Sequence, residues 1–207
     1  MTTVGIVLFP DAEELDFVGP FEAFGMLAKH IDREWSVVTV AQTREPVLCA
    51  KGLSVVPDHA FDDCPPLDVL LVPGGQGTRV EVDNPTLIEF VQRTGAAARL
   101  VTSVCTGALV LERAGFLKGR RATTHWAAMA ELRALPDVEV VEQRFVEDGN
   151  VITAAGVSAG IDMALYIIGL LKEPQIARNV QKAMEYYPEP PFADGEAELA
   201  GRTSTHG

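Results

Sequence analysis

Cysteine is scarce in this chain of 207 residues, with Cys49, Cys64 and Cys105 the only three. An odd number with no C-x-x-C pair argues against a disulfide framework and for reduced thiols. Long apolar runs are missing as well. None approaches the roughly 20 residues of a membrane span, and Met1-Thr2-Thr3 leads directly into an apolar strand without a basic segment or a small-residue cleavage site. The expectation is a cytoplasmic protein with no membrane partner. Positive charge is also in deficit, 17 Lys and Arg against 29 Asp and Glu, for a formal charge of −12. Nucleic acid is therefore not an expected partner, because phosphate binding draws on clustered cations, and the acidity serves solubility. His, Cys and carboxylates show no zinc-ligand spacing, so no metal is expected. Neither a G-x-G-x-x-G directly after a strand nor a G-x-x-x-x-G-K-[ST] loop occurs, and no cofactor is expected.

What is present is enough for one full core: 47% of residues are hydrophobic and 22% charged. Val4-Gly5-Ile6-Val7-Leu8-Phe9 and Asp68-Val69-Leu70-Leu71-Val72 are nearly all apolar, as parallel strands buried on both faces must be. A strand is also expected over 35–41, and a small hairpin or an edge extension where Val47-Leu48 precedes Ser54-Val55-Val56. Pro20 suits the first turn of a helix, with Phe21, Phe24 and Leu27 or Ala28 on one face, and Asn84-Pro85 supplies a cap and first-turn proline for a helix towards Arg99. Further on, a short strand over 122–124, a helix over 127–135, and strands over 138–146 and 151–154 are expected, the last two joined at Asp148-Gly149-Asn150. Helices over 161–171 and from Pro174 to about Tyr186 complete the pattern. Strands alternating with helices predict an α/β fold, a mostly parallel sheet between helical layers, as a single domain over 1–195. The prolines of Pro188-Glu189-Pro190-Pro191 exclude a regular helix there, and 196–207 reads as a flexible tail. In such sheets ligands bind beyond the carboxyl ends of the strands, so the loops beginning near Pro10, Pro73 and Cys105 are expected to converge on one crevice.

The most informative stretch is Leu100-Val101-Thr102-Ser103-Val104-Cys105-Thr106-Gly107-Ala108-Leu109. A β-branched run stops at a cysteine and a helix-forming run starts at once, the layout of a nucleophile elbow. The helix start would favour the thiolate. The plainer reading is a buried core cysteine. Asp16, in Glu13-Glu14-Leu15-Asp16-Phe17-Val18-Gly19-Pro20, reads equally as a desolvated acid or base at the crevice and as the N-cap of a proline-led helix. Gly74 and Gly75 offer unhindered N–H groups for an oxyanion hole, or form a tight turn. His125 reads as a base for Cys105 if the fold brings them together, or as a hydrogen-bonded structural residue beside the site, the reading favoured here. His30, His59 and His206 belong to unrelated local patterns.

Asp16 with Gly19-Pro20, Pro73-Gly74-Gly75-Gln76-Gly77, Ser103-Val104-Cys105-Thr106-Gly107 and Ala122-Thr123-Thr124-His125-Trp126 together resemble the signature blocks of the DJ-1/PfpI superfamily. Adding Gly156-Val157-Ser158-Ala159-Gly160-Ile161-Asp162 and Glu185-Tyr186-Tyr187-Pro188 makes the chain most similar to the isonitrile hydratase branch. Similar blocks occur in the amidase-like domains of some transcription regulators, and no helix-turn-helix follows them here. The resemblance implies a three-layer flavodoxin-like sandwich with a nucleophile elbow, usually a homodimer, with Cys105 as nucleophile and Asp16 beside it. Thr106 stands where the protease-like branch commonly has His, and Asp16 where the DJ-1 branch typically has Glu. The implied activity is hydration of a small-molecule isonitrile to an N-substituted formamide through a covalent thioimidate, with N–H groups near Gly75 and Thr106 stabilising the tetrahedral intermediate. The competing readings are a glyoxalase-like cysteine enzyme on the same scaffold and a non-enzymatic redox sensor built on Cys105.

Overall fold

A computed structural model of the chain describes residues 1–192; the expected domain boundary at 195 and the expected tail lie outside the described residues. The chain begins with β1 (Thr2–Val7), whose last four residues are buried, and continues through α1 (Glu14–Met26), a π-helical turn over Leu27–Ile31 and β2 (Trp35–Ala41). A small antiparallel ribbon of β3 (Val47–Leu48) and β4 (Ser54–Val55) follows, then β5 (His59–Ala60) and β6 (Val69–Val72). Next come α2 (Thr78–Glu81), α3 (Pro85–Ala97), β7 (Leu100–Val104) and α4 (Gly107–Arg113). The last third holds β8 (Arg120–Ala122), a 3-10 turn over Trp126–Ala128, α5 (Met129–Arg133), β9 (Val138–Val140), β10 (Phe145–Asp148), β11 (Val151–Ala154), α6 (Ala159–Leu171) and α7 (Pro174–Ala183).

Seven strands form the central sheet in the order β10-β11-β7-β6-β1-β2-β5, and β8 and β9 pair apart from it. Every ladder in the sheet is parallel except β10 with β11, whose hairpin turns at Gly149-Asn150. Helices α1, α6 and α7 pack together over one face, and α3 and α4 cover the other, giving the expected three-layer α/β sandwich. The core runs through Ile6, Leu70, Leu71, Leu111, Ile152 and Met163, all fully buried. Chain order reverses at β1, which is flanked by β2 on one side and β6 on the other. Loops leaving neighbouring strands diverge at such a reversal, and a crevice opens beyond their carboxyl ends.

Several local expectations are corrected. Helix α1 starts at Glu14, so Pro20 lies inside it and not in its first turn. A proline at that depth removes a helical hydrogen bond, and the burial of Phe17, Gly19, Pro20, Ala23 and Phe24 against the sheet and α6 holds the helix through it. The single strand expected over 138–146 is two, because β9 pairs with β8 while β10 turns to join β11. Only Ala122 of the strand expected over 122–124 is in β8, and the helix from Pro174 ends at Ala183. Asn84 does cap α3, accepting from the amides of Thr86 and Leu87 at 3.1 and 3.4 Å.

Candidate active site

Three loops meet beyond the carboxyl ends of β1, β6 and β7, as their sequence positions led us to expect. An isolated antiparallel bridge ties Ala12 to Gly75, and the Glu13 amide donates to the Gly74 carbonyl at 2.9 Å. These backbone ties fix the β1 loop against the β6 loop before any side chain acts. Gly75 has a φ of 117°, a value open to glycine and costly for other residues. Gly74 is needed for a different reason, since a Cβ there would lie 2.5 Å from the Thr106 amide and 2.8 Å from the Cys105 Cβ.

Cys105 occupies the turn between β7 and α4 with a φ of 55°, a left-handed conformation that few non-glycine residues adopt. Its amide donates to the carbonyls of Ala154 and Ala155 at 3.0 and 2.8 Å, and its carbonyl accepts from the Thr124 hydroxyl at 2.8 Å. The strained turn is thus held from both ends by the loop after β11 and the segment after β8. The residue is 6% exposed.

Asp16 belongs neither to a loop nor to an N-cap, the two positions weighed from sequence. It sits in the first turn of α1, whose N-cap is Glu13, and it is fully buried. Its Oδ2 accepts from the Gly74 amide at 2.8 Å, while Oδ1 has no well-aligned hydrogen-bond partner among the described residues. The Cys105 thiol is the polar side chain against which the carboxyl rests. Burial pushes the Asp16 carboxyl up to about 7; the Gly74 amide opposes the rise and the charge of Glu13 adds to it. Burial also pushes the Cys105 thiol up to about 12, with the Asp16 charge adding to it and the amide and hydroxyl of Thr106 opposing it. The start of α4 was expected to favour the thiolate. The Thr106 amide does act in that direction, but α4 is one short helix end against the loss of water and a facing carboxylate. The resting pair therefore holds its proton on sulfur.

The remaining expected residues are all within this crevice. The Gly74 amide is engaged by Asp16 and the Gly75 amide by Thr106 Oγ1 at 3.0 Å. Thr106 Oγ1 also pairs with Thr78 Oγ1 at 3.1 Å, and the Thr78 hydroxyl reaches the Gly75 carbonyl at 2.8 Å. His125 has the structural place favoured for it, its Nδ1 accepting the Ala127 amide at 3.3 Å at the head of the 3-10 turn. Burial lowers its pKa, so the ring is neutral with its proton on Nε2. Beside it opens a cleft of about 640 Å³, lined among others by Leu15, Thr124, Trp126, Arg144 and Gly156.

Sequence reading missed three members of this constellation. Glu13 was quoted only as a neighbour of Asp16, yet it stands at the N-cap position of α1, pairs with Lys51 at 2.5 Å and loads charge onto Asp16. Two acids just ahead of a third were the available signal, since like charges raise a carboxyl's pKa. Thr124 was quoted only within a signature block and given no role, and Thr78 carried no local signal. Among the described residues no group of three or more His, Cys, Asp or Glu stands where it could hold a metal ion, and no helix is long and apolar enough to cross a membrane.

Comparison with known proteins places these features in context. Residues 2–170 match the model of the DJ-1/PfpI family. The isonitrile hydratase of Pseudomonas putida is 41% identical over 200 residues, which cover 95% of this chain and 84% of that protein. The Parkinson disease protein 7 homolog of Danio rerio is 30% identical over 182 residues, 85% of this chain and 93% of that one. Among solved structures, a ThiJ/PfpI family protein from Pseudomonas syringae superposes with a TM-score of 0.87 at 36% identity, covering 94% of this chain and 79% of the other.

Proposed function

The chain belongs to the DJ-1/PfpI family, and from that premise we propose that it is a cysteine-dependent isonitrile hydratase, a lyase that converts isonitriles to N-substituted formamides. The observation that carries the reading is the pairing of the Cys105 thiol with a buried Asp16 carboxyl pushed up to about 7. An isonitrile has an unusual demand: its terminal carbon must receive a nucleophile and a proton at the same atom. One acid-base group touching the thiol meets that demand, and no separate histidine base is required.

The steps balance as follows. The Asp16 carboxylate takes the thiol proton as sulfur bonds to the isonitrile carbon, then delivers that proton to the same carbon, leaving a thioimidate and a carboxylate again. A thiol pushed up to about 12 is therefore no obstacle, since it ionises only as it attacks, into a carboxylate that operates near neutral pH. Water then adds to the thioimidate carbon while Asp16 moves one of its protons to nitrogen. The carbon–sulfur bond breaks, the remaining hydroxyl proton returns to sulfur, and the formamide leaves. The Thr106 amide lies against Cys105 and stabilises negative charge as it passes through sulfur and the tetrahedral intermediate. In this scheme Gly74 and Gly75 act through the groups their amides hold, Asp16 and Thr106.

A redox-sensor reading needs an accessible thiol of low pKa, and the burial of Cys105 weighs against it. The free Cys49, Cys64 and Cys105 suit a reducing, cytoplasmic compartment. We also propose a homodimer, for which the exposed Val18 and Phe21 of α1 offer an apolar face. The deciding experiment is conversion of a simple alkyl or aryl isonitrile to its formamide by the purified chain and by Cys105→Ala. Turnover by the wild type alone is expected; equal turnover by both, or by neither, overturns the reading.

A further inference from the structure

We propose that the open cleft beside His125 seats the N-substituent of the isonitrile, and that the Trp126 indole selects there for an uncharged aryl or arylalkyl group. The proposal rests on the hydratase reading and extends it from a reaction to a substrate class. The isonitrile carbon and nitrogen need little room, whereas the cleft holds about 640 Å³, the size of a small-molecule site.

Its walls are joined to the reacting residues. Thr124, on one wall, holds the Cys105 carbonyl at 2.8 Å, and Ala155, on another, accepts the Cys105 amide at 2.8 Å. Leu15 lines the cleft one residue before Asp16. Cys105 and Asp16 do not themselves line the cleft, and an isonitrile with its carbon at the sulfur would extend its nitrogen substituent into it past Thr124 and Ala155. Leu15 and Trp126 present apolar surface into that space, Trp126 being 54% exposed. The Trp126 and His125 rings are 5.4 Å apart and tilted by 41°, and the His125 ring is pinned by the Ala127 amide. Two rings set at an angle present a face and an edge to a third, the arrangement aromatic groups prefer.

The charged wall argues for a neutral group. Arg133 is paired with Glu142 and Arg144 with Asp162, so each cation at the cleft already has its carboxylate. Arg144 also donates to the Ser158 hydroxyl at 3.3 Å. A carboxylate on the substrate would meet cations whose charge is already balanced and would stand close to the carboxylates of Glu142 and Asp162. A ring with a weak acceptor can instead use the guanidinium N–H groups left over.

The test uses the full chain in two assays. In turnover, Trp126→Ala should lower the ratio of kcat/KM for benzyl isonitrile over methyl isonitrile about tenfold, chiefly through KM, and Trp126→Phe should restore most of it. A ratio that stays within twofold of wild type, or a carboxylate-bearing isonitrile preferred over benzyl, overturns the proposal. In binding, N-benzylformamide is titrated onto Cys105→Ala, whose chemistry is blocked, and onto the Cys105→Ala, Trp126→Ala double variant. A dissociation constant about tenfold weaker in the double variant is expected, and equal constants overturn the cleft assignment. Binding that depends on Trp126 in a protein that turns over no isonitrile would instead sink the hydratase reading and leave the cleft standing.

Discussion

Cys105 and Cys49 are nearly equal by the usual measures and opposite in their surroundings. They are 6% and 2% exposed, and burial is the first cause of the rise that takes their thiols to about 12 and about 11. The Cys49 sulfur points at the carbonyl of Val47, two residues away, at 3.9 Å, a contact that fills space and asks for no chemistry. Cys105 instead stands in a left-handed turn against a carboxyl with one unsatisfied oxygen. Burial and thiol pKa therefore do not mark a nucleophile. On the proposed reading, a proton acceptor within reach and a backbone that holds the sulfur to it do.

The largest effect expected from this contrast is on turnover. Cys105→Ala should lose at least about a thousandfold of isonitrile hydration, while Cys49→Ala keeps wild-type kcat/KM within about threefold. A Cys49→Ala enzyme as dead as Cys105→Ala would erase the distinction. Asp16→Asn comes next, with a loss of roughly a hundredfold or more. In the wild type, kcat/KM should rise with pH through about 7, as the carboxyl becomes the base that takes the thiol proton.

The same residue gives an opposite prediction for stability. The folded Asp16 carboxyl titrates near 7 against an ordinary 3.8, so between those values the folded chain holds a proton that the unfolded chain has released. Stability is full below the lower value and is lost as pH rises towards the upper one, by about 4 kcal/mol in total. Asp16→Asn removes that loss, and at pH 8 it should unfold later in denaturant, by on the order of 2 kcal/mol. An inactive variant that is also less stable at pH 8 would mean that Asp16 is a structural acid.

Thr106→Val takes the partner from the Gly75 amide and from the Thr78 hydroxyl together. We expect a destabilisation of about 1–3 kcal/mol and a rate loss of roughly tenfold, measured by denaturant unfolding and kcat. The smallest effect belongs to Lys51→Met. Lys51 pairs with Glu13 while 65% exposed, and an exposed pair contributes little. Its charge does lower the pKa of Asp16, so the pH midpoint of kcat/KM should move upward while kcat at high pH changes by less than about twofold. A midpoint that stays or moves downward would show that Lys51 does not lower the pKa of Asp16.

The local parts of this account were legible in the sequence. A β-branched run ending at Cys105, the Asn84-Pro85 start of α3 and the turn between β10 and β11 each depend on neighbours a few residues apart. The failures lie where a partner far along the chain decided the outcome. Pro20 reads as a helix start, but packing of α1 on α6 carries the helix through it. Residues 138–146 read as one strand, but β9 and β10 were claimed by different partners. The amides of Gly74 and Gly75 read as free donors, and side chains from 58 and 31 residues away engage them.

The sequence by itself determined the layers, the order of strands and helices, and the family, because hydrophobic period, turn residues and short signature blocks are properties of contiguous chain. It also placed Asp16, Gly74 and Cys105 just beyond three strand ends. The tertiary structure alone decided what those residues became. A carboxyl is an ordinary acid until burial strips its water, and a thiol is a core side chain until a carboxyl faces it. Both conditions arise only when β1, β6 and β7 lie side by side. No stretch of chain holds them alone, because solvent exclusion and charge proximity depend on distance in space.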